Sequence, residues 1–182
     1  MFGIEGVLGV FFAYAIGSMP VGRWITTIYC KDSTDVGLKP LALARVLADI
    51  VKGALAVMVF CKLIGHGFDQ YGVLLAYLGH RFPICRKCWG GNGIAVLLGA
   101  LTVLHPVVGL TALISWLFTY YVFRYASLSA LAAAIMTPLV SGLAGVGTDL
   151  YILFIITAMI FVQQKGGLMR LLKGDEERVV WG

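Results

Sequence analysis

Seven apolar runs fill this chain and leave only short polar connections between them. They are Val7–Ile28, Leu41–Phe60, Tyr71–Gly79, Ile94–Leu104, Val107–Phe123, Leu128–Leu143 and Leu150–Val162. A chain that is 60% hydrophobic, with a mean hydropathy of +0.92, has the bilayer as its solvent. In hydrocarbon every backbone polar group needs a partner within the chain, so such runs fold as helices. At about 20 residues per crossing, 182 residues hold seven spans and no soluble domain. The sequence predicts one all-α, polytopic membrane domain over residues 1–182.

The connections alternate in charge. One side carries Arg23, Lys31 to Lys39, Arg81, Arg86, Lys87, Arg124, Lys165, Arg170, Lys173 and Arg178. The other carries Glu5, the Lys62–Asp69 turn, His105-Pro106 and Gly142–Asp149. Basic loops stay cytoplasmic, which predicts a plasma (inner) membrane protein with its N-terminus outside and its C-terminus inside. Met-Phe-Gly-Ile-Glu lacks a basic n-region, and no small-x-small site follows, so a signal peptide is not expected. The net charge of +5 is explained mostly by topology, with anionic lipids or a phosphorylated substrate as further partners. No basic–aromatic alternation points to nucleic acid, and a monomer is compatible with this pattern.

Tyr71–Gly79 and Ile94–Leu104 are too short to cross about 30 Å of hydrocarbon as straight helices. They are expected to flank a re-entrant cytoplasmic loop, and irregular backbone at that depth survives only inside protein or beside a wet cavity. Cys30, Cys61, Cys85 and Cys88 do not form a disulfide framework on a cytoplasmic face. Cys85, Cys88 and His80 offer three zinc ligands where a structural site wants four, so free thiols and no metal or cofactor are expected. Gly3, Gly6, Gly9, Ala13 and Gly17 recur at helix-packing intervals.

Polar clusters interrupt the apolar runs. Gly17-Ser18-Met19-Pro20-Val21-Gly22 breaks the first span, and the freed backbone groups need partners or a ligand. Arg45, Asp49 and Lys52 share one helix face, either as a mutually neutralised trio holding helices together or as a ligand site. Arg45, nearest the cytoplasmic end, has the charge most available to a ligand. Arg81 to Gly93 is a basic loop ending in Gly90-Gly91-Asn92-Gly93, whose backbone N–H groups suit a phosphate. Arg124-Tyr-Ala-Ser127-Leu-Ser129 opens a helix, so its serines serve either as N-caps or, with Arg124, as oxyanion contacts. Gln163 to Asp175 reads as a short amphipathic segment on the inner surface. No HxxxxD, Ser-His-Asp or HExxH arrangement exists.

In this order the pieces resemble the bacterial acyl-phosphate:glycerol-3-phosphate acyltransferases, the PlsY family, from about Tyr14 to Glu177. Gly17-Ser18-Met19-Pro20 resembles that family's GS-hydrophobic-P, Asp49 to Gly53 its DLLKG, and Gly79 to Pro83 its GHxxP. Gly90 to Ala95 resembles GGKGVA, Arg124 to Ser129 resembles RYSSLS, and Arg170 to Glu176 resembles RLLKGEE. The resemblance implies seven spans, a cytoplasmic site and acyl transfer from acyl phosphate to the 1-position of glycerol 3-phosphate without a covalent nucleophile. It implies Ser18, Arg45 and Ser127 as catalytic residues. It places Gly90, Gly91, Asn92, Gly93, Lys52, Arg124 and Ser129 at the phosphate, and Lys39, close in sequence to positions where the chain departs from the family, is expected to join them.

The chain also departs from the family. The loop GSGNxGATNVLR stands here as Asp32 to Arg45 without most of its glycines, Thr and Asn; the GGKG lysine is Asn92; and HRxNI is Gln164 to Leu168. Weak or absent acylation of glycerol 3-phosphate is therefore expected, with a phosphorylated or hydroxylated acceptor and with Lys39 and Lys165 restoring some charge. The second reading is a catalytically impaired descendant that binds lipid or a protein partner. A transporter would need a through-going polar path, and the outer half of the spans is nearly charge-free. Ser18, Arg45, Gly90, Gly91, Gly93 and Ser127 are expected to converge on one cytoplasm-facing pocket.

Overall fold

In the computed structural model the described residues are 3–29, 38–65, 67–84, 93–145 and 150–176. They form eight helices and no strand. These are α1 (Ile4–Ser18), α2 (Val21–Tyr29), α3 (Leu38–Ile64), α4 (Asp69–Arg81), α5 (Ile94–Leu104), α6 (Pro106–Phe123), α7 (Ala126–Leu143) and α8 (Leu150–Lys173). Every apolar run holds one helix except the first, which holds two. Among the described residues α6, α7 and α8 are long and apolar enough to cross a membrane. At about 1.5 Å per residue, the 13 residues of α4 and the 11 of α5 fall short of a bilayer core. The loop expected to be re-entrant lies outside the described residues from 85 to 92.

The chain forms two compact units, Met1–Leu104 and His105–Gly182. In the first, α3 packs on α1, α2, α4 and α5, and α1 also packs on α4. The stripe of small residues on α1 is its packing face: Gly6, Gly9, Ala13, Gly17 and Ser18 are buried, whereas a Cβ on Gly3 would meet open space. Two helix pairs come together backbone to backbone. A Cβ on Gly17 or Gly79 would strike the Ala76 or Tyr14 carbonyl oxygen across the α1–α4 contact. Likewise a Cβ on Gly53 or Gly99 would strike the Val96 or Ile50 carbonyl across the α3–α5 contact. Such approach is how helices gain packing where lipid is as apolar as leucine. The opposite face of α3 turns Leu43, Leu47, Val51, Leu55 and Met58 outward, as expected for a lipid-facing stripe.

In the second unit α7 packs against both α6 and α8. Pro138 lies inside α7 without ending it. A proline there removes the hydrogen bond to the carbonyl four residues back, that of Ala134. Thr137 Oγ1 and Thr157 Oγ1 both donate to that oxygen at 2.9 Å, and the second bond ties α8 to α7. One expectation is corrected. The segment from Gln163 to Lys173 is no separate surface helix but the unbroken end of α8. Gly166 and Gly167 are tolerated mid-helix because packing replaces lost propensity: Gly167 sits so close to Ser127 that a Cβ would lie 2.6 Å from that serine's Cβ.

Candidate active site

In the first unit the site is built at the break between α1 and α2. Pro20 has no N–H, and α1 ends at Ser18 with Met19 in extended conformation. Ser18 turns its hydroxyl back on its own helix, donating to the Tyr14 carbonyl at 2.8 Å. The Met19 carbonyl receives Lys52 Nζ at 3.1 Å. The same ammonium lies 2.8 Å from His80 Nδ1 and 3.0 Å from Asp49 Oδ1. An ammonium only donates, so His80 Nδ1 accepts and the ring proton of the neutral imidazole sits on Nε2. The Lys52–Asp49 approach is an ion pair by distance whose angles fall outside the hydrogen-bond range. Lys52 and His80 are 5% and 8% exposed, so charge is neutralised where water is scarce.

Arg45 stands one and two turns before Asp49 and Lys52 on α3, yet it is exposed. Its side chain lies over Gly22 of α2, where a Cβ would come 3.4 Å from Nε. The structure therefore brings Ser18, Gly22, Arg45 and Lys52 around one broken helix. Gly93 opens α5, accepting from Leu97 N–H, with φ at +71° and no space for a side chain against the buried Tyr77 ring. Gly90, Gly91 and Asn92 lie outside the described residues, as do Cys30, Cys85 and Cys88. Lys39 is in the first turn of α3, with its side chain outside that set.

In the second unit α6 ends on Arg124 in left-handed conformation (φ 63°), and Tyr125 starts α7. Tyr125, not a serine, is the N-cap residue, and it makes no side-chain cap. Ser127 is one residue inside the helix, 4% exposed, and donates to both oxygens of Glu176 at 2.6 Å. Ser129 donates to the Ala126 carbonyl, and Arg124 is exposed. Glu176 reaches Ser127 because Gly174 ends α8 with a reversal: Gly174 N–H bonds Leu171 O, and Asp175 N–H bonds Arg170 O. Gln164 is buried beside Gly167, and its Nε2 has no hydrogen-bond partner among the described residues.

Sequence reasoning paired Lys52 with Asp49, but it did not single out Glu176 as the partner of Ser127, nor the Met19 carbonyl and His80 as partners of Lys52. Lys173-Gly174 is a helix-stop pattern, but its spacing does not reveal what the turn brings back. The Met19 carbonyl and His80 come from other helices, which no spacing on α3 reveals. Among the described residues no group of three His, Cys, Asp or Glu side chains is placed to hold a metal ion.

Short apolar helices with buried charge at their breaks define a polytopic membrane protein with an embedded polar site. Its relatives give the family. A family profile described as glycerol-3-phosphate acyltransferase matches residues 7–174. A glycerol-3-phosphate acyltransferase of Dinoroseobacter shibae is 33% identical over 181 residues, covering 92% of this chain and 89% of the relative. One from Rhodopseudomonas palustris is 33% identical over 192 residues, covering 95% and 98%. The crystal structure of PlsY, an integral membrane glycerol 3-phosphate acyltransferase, in its lysophosphatidic acid form matches with a TM-score of 0.84 and 28% identity, covering 96% of this chain and 95% of that one. Its glycerol 3-phosphate form matches with a TM-score of 0.82. This chain belongs to the glycerol-3-phosphate acyltransferase family.

Proposed function

We propose that this protein transfers an acyl group from an acyl phosphate to glycerol 3-phosphate, or to a close phosphorylated or hydroxylated acceptor, in phospholipid synthesis. The similarity to PlsY over nearly the whole chain carries this reading. Turnover takes place at the cytoplasmic face, with the N-terminus outside, as the basic loops require. The acceptor hydroxyl oxygen bonds to the acyl carbon, the acyl–phosphate C–O bond breaks, and inorganic phosphate leaves with the hydroxyl proton.

Each residue has a role suited to its chemistry. Exposed Arg45 offers a planar, permanently charged donor set to a phosphate. Gly93 offers a backbone N–H at the start of α5, suited to an anionic oxygen. Ser127 has a single proton, held by Glu176, so its oxygen presents lone pairs and suits an acceptor hydroxyl as donor. Gln164 Nε2 supplies the complementary N–H. Purified protein incubated with acyl phosphate and glycerol 3-phosphate, glycerol or other hydroxylated acceptors, with products identified by mass spectrometry, tests the proposal. An acylated acceptor and released phosphate are expected; no acylation of any acceptor would overturn it.

A further inference from the structure

Lys52 has the charge of a phosphate ligand, but its surroundings give it another task. Its ammonium makes hydrogen bonds to Met19 O and His80 Nδ1, at 3.1 and 2.8 Å, and an ion pair with Asp49 Oδ1 at 3.0 Å. The three lie at the α1–α2 break, on α4 and on α3. With the side chain 5% exposed, two donors engaged and the charge paired with Asp49, little of the ammonium is left for a phosphate oxygen. We infer that Lys52 is a positioning residue for acyl transfer, a clasp that holds the broken first span open by satisfying the Met19 carbonyl and so sets Gly22 against Arg45.

A chain break at membrane depth exposes backbone carbonyls that hydrocarbon does not solvate, so the break persists only where something donates to it. His80 accepts from the ammonium on one side, and Asp49 balances its charge on another. The donor is thereby aimed at Met19. Removing it leaves the carbonyl unpaired and the α2 entry angle undetermined. The guanidinium of Arg45, packed over Gly22, then loses its support.

The inference rests on the acyltransferase reading, and the test separates the two. Lys52→Met leaves the half-buried Asp49 without its cation, so the paired variant Asp49→Asn/Lys52→Met, which removes both charges, carries the test if the single one fails to fold. We expect both variants to lower kcat about tenfold or more, the loss of one charged hydrogen bond, while KM for glycerol 3-phosphate stays within about threefold. The paired variant keeps a near-native Tm in detergent. Independently of turnover, amide exchange across 19–24 quickens about tenfold or more in the paired variant while α6 and α7 are unchanged. A rise in KM with kcat intact would make Lys52 a phosphate ligand and overturn the inference. Wild-type kcat or unchanged exchange at the break in the paired variant would also overturn it. Wild-type protein that turns over no acceptor sinks the acyltransferase reading alone, because the exchange measurement still decides the clasp.

Discussion

Two prolines interrupt membrane helices in this molecule, and the two interruptions are treated differently. Around Pro138 the orphaned Ala134 carbonyl is satisfied by two neutral hydroxyls, and α7 runs on through the kink. At Pro20 the chain leaves helical geometry, and the Met19 carbonyl is satisfied by an ammonium with its own counter-charge. A threonine hydroxyl repairs a helix at little electrostatic cost. A buried ammonium must be neutralised as well as hydrogen-bonded, and that draws in two further helices, α3 and α4. Where a break is only tolerated, neutral donors suffice; the charged arrangement stands where the family resemblance puts Ser18 and Arg45.

The largest effect that tests this contrast comes from closing the first break. Pro20→Ala lets α1 run into α2, since interior proline costs a helix about 3 kcal/mol. Stability is held or raised, while acyl transfer falls about a hundredfold, the cost of misplacing site groups by about 1 Å. Product formation and thermal unfolding on one preparation check it; full activity in Pro20→Ala would show that the break does not matter to the site.

Close helix approach comes next in size. Gly99→Ala and Gly53→Ala each drive a methyl group into a backbone carbonyl of the facing helix. Each is expected to destabilise the protein by about 1–3 kcal/mol. Thermal unfolding in detergent reads this, and tolerance of either substitution would mean that α3 and α5 do not meet at those glycines. Smallest is Thr157→Val, which removes one of two donors to Ala134 and loses about 1 kcal/mol without changing activity. A large activity loss there would erase the distinction between the two interruptions.

These effects also mark what was legible in advance. The helices followed from apolar runs, because hydrocarbon permits little else. The break was readable from Gly17 to Gly22, and Arg45, Asp49 and Lys52 from their spacing on one helix. Their division of labour was not, because His80 lies 28 residues and the Met19 carbonyl 33 residues from Lys52 in the chain. Local propensity at Gly166-Gly167 disfavours the unbroken helix that the structure shows there. Contact with Ser127 outweighs that preference, and the same close contact helps keep Ser127 near Gln164. Glu176 went unnoticed because its partner is 49 residues away.

The central claim, that this chain is an acyltransferase working with an altered phosphate region, is tested most directly by initial rates. Lysophosphatidate formation from acyl phosphate and glycerol 3-phosphate is compared for wild type, Asn92→Lys and Lys39→Ala. Each charged hydrogen bond to phosphate is worth about 1.5–3 kcal/mol, roughly tenfold or more in rate. The account predicts measurable wild-type turnover, raised by Asn92→Lys and lowered by Lys39→Ala to about that extent. Absence of lysophosphatidate in all three proteins, with each one folded, would contradict it.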